Sequence, residues 1–295
     1  MPLPLPHEYL RRAVRQKITD VFNDADAGER PVLRRADALF SPDETAWTVN
    51  GDVVTMMIGG VSGLLLQMLH PAVLAGVWDH SDFRADMHGR LRRTAKFIAV
   101  TTYDHAQRGR AAIDKVNRIH AKLRGTLPDG TPYRVSDPHL LAWVHVTETS
   151  SFLDAWIRYA EPDMPMARQD AYFDDMARIA LALGADPVPR SRAEAEALIQ
   201  SYRGELRADA RTHEVAALVM RQTVGMPTVD LAAGVIMQAG MDLLPPWAAA
   251  LHDQPRRLPT PATRAAALST ARFIRWAFDR SPNKAVWPTQ VTEYP

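Results

Sequence analysis

One run of sequence limits the fold more than any other. "MMIGGVSGLLLQMLHPAVLAGVW" occupies Met56–Trp78 and is about the length that crosses a bilayer as one helix. It carries Gln67, His70 and Pro71 at mid-length, where each would be costly in lipid. Pro71 removes one backbone donor, so it kinks or ends a helix and frees a carbonyl near Gln67. Gly59, Gly60 and Gly63 suit a helix pressed closely against its neighbours. The run therefore reads as a central core segment with no stable membrane span. His70 sits at its kink and His80 at its exit.

The remaining sequence is dominated by helical periodicity. Candidate helices occupy 7–22, 31–40, a stretch from about Met87 to 103, 104–125, 138–161, 169–185, 191–208, 214–222, 242–253 and 260–282. Gly125 is expected to close the helix 104–125, and 126–138 reads as a loop around a Pro-Asp-Gly turn. Ser136 or Asp137 caps the helix that Pro138 begins. With no repeat or linker, the expectation is an all-α single domain of roughly ten irregularly packed helices. Residues 1–40 form an N-terminal helical extension, 41–280 the core and 281–295 a tail.

Composition narrows the chemistry. The chain has no cysteine, which excludes thiolate nucleophiles, cysteine-held metals and disulfides. Its 35 basic and 34 acidic residues balance, so no basic excess draws it to nucleic acid. The N-terminus lacks a charged-then-apolar leader pattern, which makes a cytoplasmic location the expectation. Walker, dinucleotide-binding, Gly-x-Ser-x-Gly and His-Glu-x-x-His motifs are absent. Any metal must be held by His, Asp or Glu, or arrive inside a macrocycle, and the ten histidines leave room for both.

Three helical faces carry candidate chemistry. His120 continues the apolar stripe of Ile113 and Val116, as a core histidine or as a ligand. His145 and Glu148 stand three apart on one face, with Leu141 and Phe152. They suit a structural hydrogen bond, half of a metal site, or a pair beside a cofactor. In "RLRRT", Arg90, Arg93 and Thr94 share a face that runs on into Phe97. That is an unusual place for solvated arginines and a suitable one for binding a carboxylate, a propionate or a developing oxyanion.

Together, "GGVSGLLLQMLHPAVLAGVWDHSDFRAD", "GRLRRTAKF", "VNRIHAKLRG", "DGTPYRVSDPHLLAWVHVTETSSF" and "LLPPW" resemble the oxygenase MpaB and rubber-oxygenase (latex-clearing protein) catalytic domain family. The resemblance spans about residues 40–280 and is strongest from 47 to 160. It implies a globin-like helical core with a buried pocket for a b-type haem, whose iron has one histidine axial ligand. It also implies an oxygenase that uses dioxygen on a small apolar substrate, with an electron donor not identified by the sequence. His120 matches the axial ligand best, with His145 in reserve. Arg90, Arg93 and Thr94 match the distal wall, and His145, Glu148, His70 and His80 are further cofactor-pocket candidates. Rubber oxygenases place a catalytic carboxylate before the Arg/Thr helix; here "LAGVWDHSDFRAD" has no Glu, and Asp79 or His80 are the nearest stand-ins. Two alternatives stay open: a non-haem metal oxidoreductase built on His145, Glu148 and His70 or His80, and a haem-binding protein without catalysis. A homodimer is one expectation for the assembly.

Overall fold

The computed structural model describes residues 6–23, 28–223, 227–253, 259–278 and the backbone of 286–287. The described residues form thirteen α-helices and two short ribbons. In chain order the helices are α1 (Pro6–Phe22), α2 (Thr45–Val49), α3 (Val53–Gln67), α4 (Pro71–His80), α5 (Met87–Tyr103), α6 (Ala106–His120) and α7 (Pro138–Tyr159). They continue with α8 (Met166–Leu183), α9 (Arg192–Ser201), α10 (Ala210–Met220), α11 (Pro227–Leu243), α12 (Pro246–His252) and α13 (Thr260–Phe278). The architecture is all-α.

The apolar run divides at its polar interruption. Asp52 starts α3 by accepting the Thr55 N–H at 2.9 Å. His70 starts α4 by accepting the Ala72 N–H on Nδ1 at 3.2 Å, with Pro71 as the first helical residue. The two helices meet at 106°, and no single helix among the described residues is long and apolar enough to cross a membrane. The carbonyl of Gln67 loses its usual donor to Pro71. It accepts instead from the His70 N–H at 3.2 Å and the Trp143 indole N–H at 3.4 Å. The Gln67 amide returns a bond to the Val144 carbonyl at 3.3 Å. The helix break is thus stitched to α7.

Helices α3 and α7 cross closely. A Cβ on Gly59 would lie 2.7 Å from the Ser151 carbonyl oxygen and 2.8 Å from the Phe152 Cα, so only glycine fits. Helix α11 covers another face of α3, and α13 packs on α11. Buried residues of these elements include Val54, Ile58, Ala155, Ile236, Ala239 and Ala271.

Several sequence expectations change. Residues 31–40 are not a helix: Arg34–Arg35 form β1, parallel to β4 (Val286–Trp287), and the Arg35 guanidinium bonds Asp37. Helix α6 stops at His120 rather than at Gly125. Gly125 lies in β2 (Arg124–Thr126), which pairs antiparallel with β3 (Pro132–Arg134), so the expected loop is a hairpin. The Tyr133 ring fills the space where a Gly125 side chain would stand, 2.6 Å from its Cβ position. The helix expected over 191–208 ends at Ser201 and tightens into a 3₁₀ turn, Tyr202–Gly204. Helix α11 was not anticipated from the sequence.

The Gly59 contact yields a stability test. Gly59→Ala is expected to cost about 1–3 kcal/mol through overpacking against rigid backbone. Gly60→Ala, whose Cβ would meet only the Phe152 ring edge at 3.7 Å, is expected to be neutral or slightly stabilising. Urea unfolding of both variants with an unchanged denaturant slope checks the difference.

Candidate active site

A cavity of about 960 Å³ lies between α1, α3, α5, α7, α11 and α13. That is near the upper end of the ~300–1,000 Å³ common for small-molecule sites. Helix α3 contributes Met56, Gly60, Leu64 and Gln67; α11 contributes Ile236 and Met237; α13 contributes Phe273 and Ile274. The exposed wall is mainly apolar in area, with polar and charged side chains set along it.

Helix α5 supplies Arg90, Thr94 and Ile98, four residues apart, so one stripe faces the cavity. Asp86 starts that helix by accepting the Gly89 N–H at 2.7 Å. Arg93 turns away: its side chain is 63% exposed and pairs with Asp86 at 3.4 Å. The structure thus brings Arg90 and Thr94 to the cavity and leaves Arg93 off its lining. Arg90 has no carboxylate or carbonyl partner among the described residues. Burial, together with repulsion from Arg93, pulls its guanidinium down to about 10, so it remains charged at neutral pH.

Helix α7 supplies Glu148 and Phe152, also four apart. Glu148 has no hydrogen-bond partner among the described residues, and burial pushes its carboxyl up to about 7. Arg90 and Glu148 both line the cavity, and no ion pair joins them. The sequence grouped Glu148 with His145 by spacing. The fold groups it with Arg90 and Thr94 and so brings a carboxylate to a wall where the segment before α5 has no Glu.

The histidines fall into separate settings. His145 lies one turn before Glu148 but is not among the cavity-lining residues. Its Nδ1 approaches the Thr149 hydroxyl at 3.4 Å, and its Nε2 is buried without a partner. Burial holds this imidazole down to about 4, so it is neutral at pH 7. His120, at the end of α6, is half-buried with an unpartnered, buried Nδ1, and burial lowers its pKa too. A two-residue connection joins α5 to α6, and a Cβ on Gly109 would lie 3.6 Å from the Thr101 Cα.

His70 and His80 do not line the cavity. His70 is 6% exposed, and its Nε2 lies 3.2 Å from Glu205. His139 Nε2 lies 3.0 Å from the same carboxylate, and the Tyr202 hydroxyl donates to the His139 carbonyl at 2.7 Å. The ligand atoms of His70, His139 and Glu205 lie within 4.8 Å of one another. They make up a metal-like cluster that sequence reading missed, because Glu205 is remote in the chain. Because His70 Nδ1 accepts the Ala72 N–H, its Nε2 carries the proton, so a metal at Nε2 would displace that proton and disturb the start of α4. His80 is exposed and lies 3.3 Å from the Tyr133 hydroxyl, which donates to Asp79 at 2.6 Å. Neither His70 nor His80 therefore completes a ligand set with His145 and Glu148 among the described residues. His252, also passed over in the sequence, is fully buried and bonds the Leu65 carbonyl at 2.9 Å.

The Glu148 environment predicts a pH effect on stability. A carboxyl whose pKa rises on folding contributes stability that is fully present below its unfolded value and lost as pH rises through about 7. Glu148→Gln is expected to be more stable than the parent at pH 8, by on the order of 1–3 kcal/mol. The difference should shrink toward pH 5. Chemical denaturation at both pH values checks it.

Comparison with known proteins now adds the family. The description "ER-bound oxygenase mpaB/B'/Rubber oxygenase, catalytic domain" matches residues 47–276. No curated protein and no solved structure matches the chain. The matched span includes α3, α5 and α7 and every cavity group discussed above. The chain belongs to the MpaB and rubber-oxygenase catalytic domain family.

Proposed function

We propose that this member of an oxygenase family is a haem b-dependent oxygenase whose active site is the cavity bearing Arg90, Thr94 and Glu148. The observation that carries the reading is that Arg90 and Glu148 stand unpaired, in an apolar cavity, within the family match. Uncompensated groups of this kind are costly for folding and are concentrated where chemistry is done.

The residues fit a haem on two counts. His120 and His145 are neutral imidazoles, each with a buried ring nitrogen that bonds to nothing, which suits an iron ligand. At His145 the Nδ1 faces the Thr149 hydroxyl while Nε2 is free, the pattern of an imidazole oriented by one nitrogen and binding with the other. His120 and His145 are therefore the candidates to hold the iron, although neither is among the residues that line the cavity itself. When bound, the haem would supply the binding and activation of dioxygen.

The protein's own groups have separable roles. The apolar wall takes the substrate and excludes water. Arg90 supplies a fixed positive charge to an acidic group or to oxygen that gains negative charge. The Thr94 hydroxyl donates to the Arg90 carbonyl at 3.3 Å in this structure and can reorient toward a ligand. Glu148, with its carboxyl near 7, is suited to take a proton from substrate and return it. It would thereby fill the place of the carboxylate that the segment before α5 lacks.

Purified full-length protein is expected to carry iron and porphyrin near one per chain and to show a Soret band. That band should be lost or shifted in one of His120→Ala and His145→Ala. A colourless protein that also fails to take up haemin would sink the haem reading. In an oxygen-uptake assay with a substrate found by screening alkenes with and without a terminal carboxylate, Glu148→Gln should lower kcat by roughly 10²–10⁴-fold. The parent rate should rise with pH through about 7 as Glu148 ionises. A rate indifferent to the substitution would remove Glu148 from the chemistry.

A further inference from the structure

We propose that the cavity takes an amphipathic acid: a long apolar chain ending in one carboxylate that pairs with Arg90. The proposal rests on the reading of this cavity as the active site and names its substrate class.

The argument starts from the cost of Arg90. Arg90 is half-buried on the cavity wall, and a guanidinium cannot relieve partial desolvation by losing its proton at neutral pH, so an anion brought to it there would be favoured. The nearest charge acting on it is Arg93, which has the same sign. Lys17 also lines the cavity, from α1 and with no partner among the described residues, whereas the remaining arginines and Lys96 on the wall are engaged. Lys96 pairs with Glu29 at 2.6 Å, and Arg92 is 3.9 Å from the same carboxylate. Arg275 pairs with Asp52 at 2.6 Å. Arg34 bonds the Gly51 carbonyl and lies over the Tyr103 ring. Arg90 is left with a planar fork of donors and no acceptor, which matches one carboxylate in a two-point contact.

The rest of the wall defines the other end of the ligand. Leu64, Leu91, Phe152, Ile236 and Met237 line the cavity with Arg90. A plain hydrocarbon would fill that surface and leave the guanidinium desolvated and unmatched. A short polar acid would match the guanidinium and leave the apolar wall unused. Glu148, the second unpaired group, does not pair with Arg90, so it is free to act on the chain while Arg90 holds its end.

The test uses the purified full-length protein, its Arg90→Gln and Arg90→Lys variants, and three probes: dodecanoate, dodecan-1-ol and haemin. Calorimetry measures the first two below their aggregation limits, and absorbance follows haemin. The parent is expected to bind dodecanoate roughly thirtyfold or more tightly than dodecan-1-ol. Arg90→Gln should abolish that preference and leave dodecan-1-ol and haemin binding unchanged, while Arg90→Lys keeps part of it. The Gln variant removes a half-buried charge that has no partner among the described residues, so its melting temperature should not fall, which separates lost binding from lost folding. Equal binding of acid and alcohol by the parent would overturn the proposal. So would a preference that survives Arg90→Gln. Weakened haemin binding with unchanged dodecanoate binding would also overturn it, by assigning Arg90 to a haem propionate. A colourless, haemin-refusing protein that still prefers dodecanoate through Arg90 would support this proposal while removing the haem reading.

Discussion

The contact on which the rest depends is the crossing of α3 and α7 at Gly59, where the two backbones approach with no side chain between them. Because the approach is that close, α7 has little freedom to rotate or slide against α3. The helix break reinforces the register: Trp143 bonds the Gln67 carbonyl, and Gln67 bonds the Val144 carbonyl. With α7 fixed, Glu148 and Phe152 face the cavity and His145 lies one turn behind them. The apolar run therefore acts as the rigid wall against which the functional helix is registered.

Two uncompensated groups then share one cavity and answer burial differently. Glu148 can relieve its cost by holding a proton, and its carboxyl moves up to about 7. Arg90 has no such escape, because even at about 10 its guanidinium stays charged near neutral pH. One group is therefore a proton carrier and the other a fixed charge. That division of labour is what an oxygenase acting on a largely apolar molecule needs from its protein: a site to hold the molecule, a charge to orient it, and a group that moves a proton.

Much of this was legible in the sequence. The periodic helices α1, α5 and α7 follow from spacing, α7 also from its cap and Pro138, and Pro71 dictated the division of the apolar run. "RLRRT" pointed to the cavity through Arg90 and Thr94, since residues four apart share a face. Arg93, three residues on, turns toward Asp86, a difference of angle that spacing alone does not resolve. Glu148 was visible as a candidate, but its grouping with Arg90 depends on how α5 and α7 pack, which is tertiary information. The His70, His139 and Glu205 cluster was invisible for the same reason. Helix α11 was missed although its periodicity is no weaker than that of α7, and the hairpin at 124–134 was too short to show an alternating pattern.

The family places the chain among oxygenases, and the fold supplies a cavity with the charges such chemistry would use. The central claim is that a histidine of this chain holds haem iron beside that cavity. Resonance Raman spectroscopy of the reduced full-length protein tests it most directly. The account predicts porphyrin modes and an iron–imidazole stretch that disappears in either His120→Ala or His145→Ala. Absence of porphyrin modes after incubation with haemin, or an iron–imidazole stretch that survives both substitutions, would contradict it.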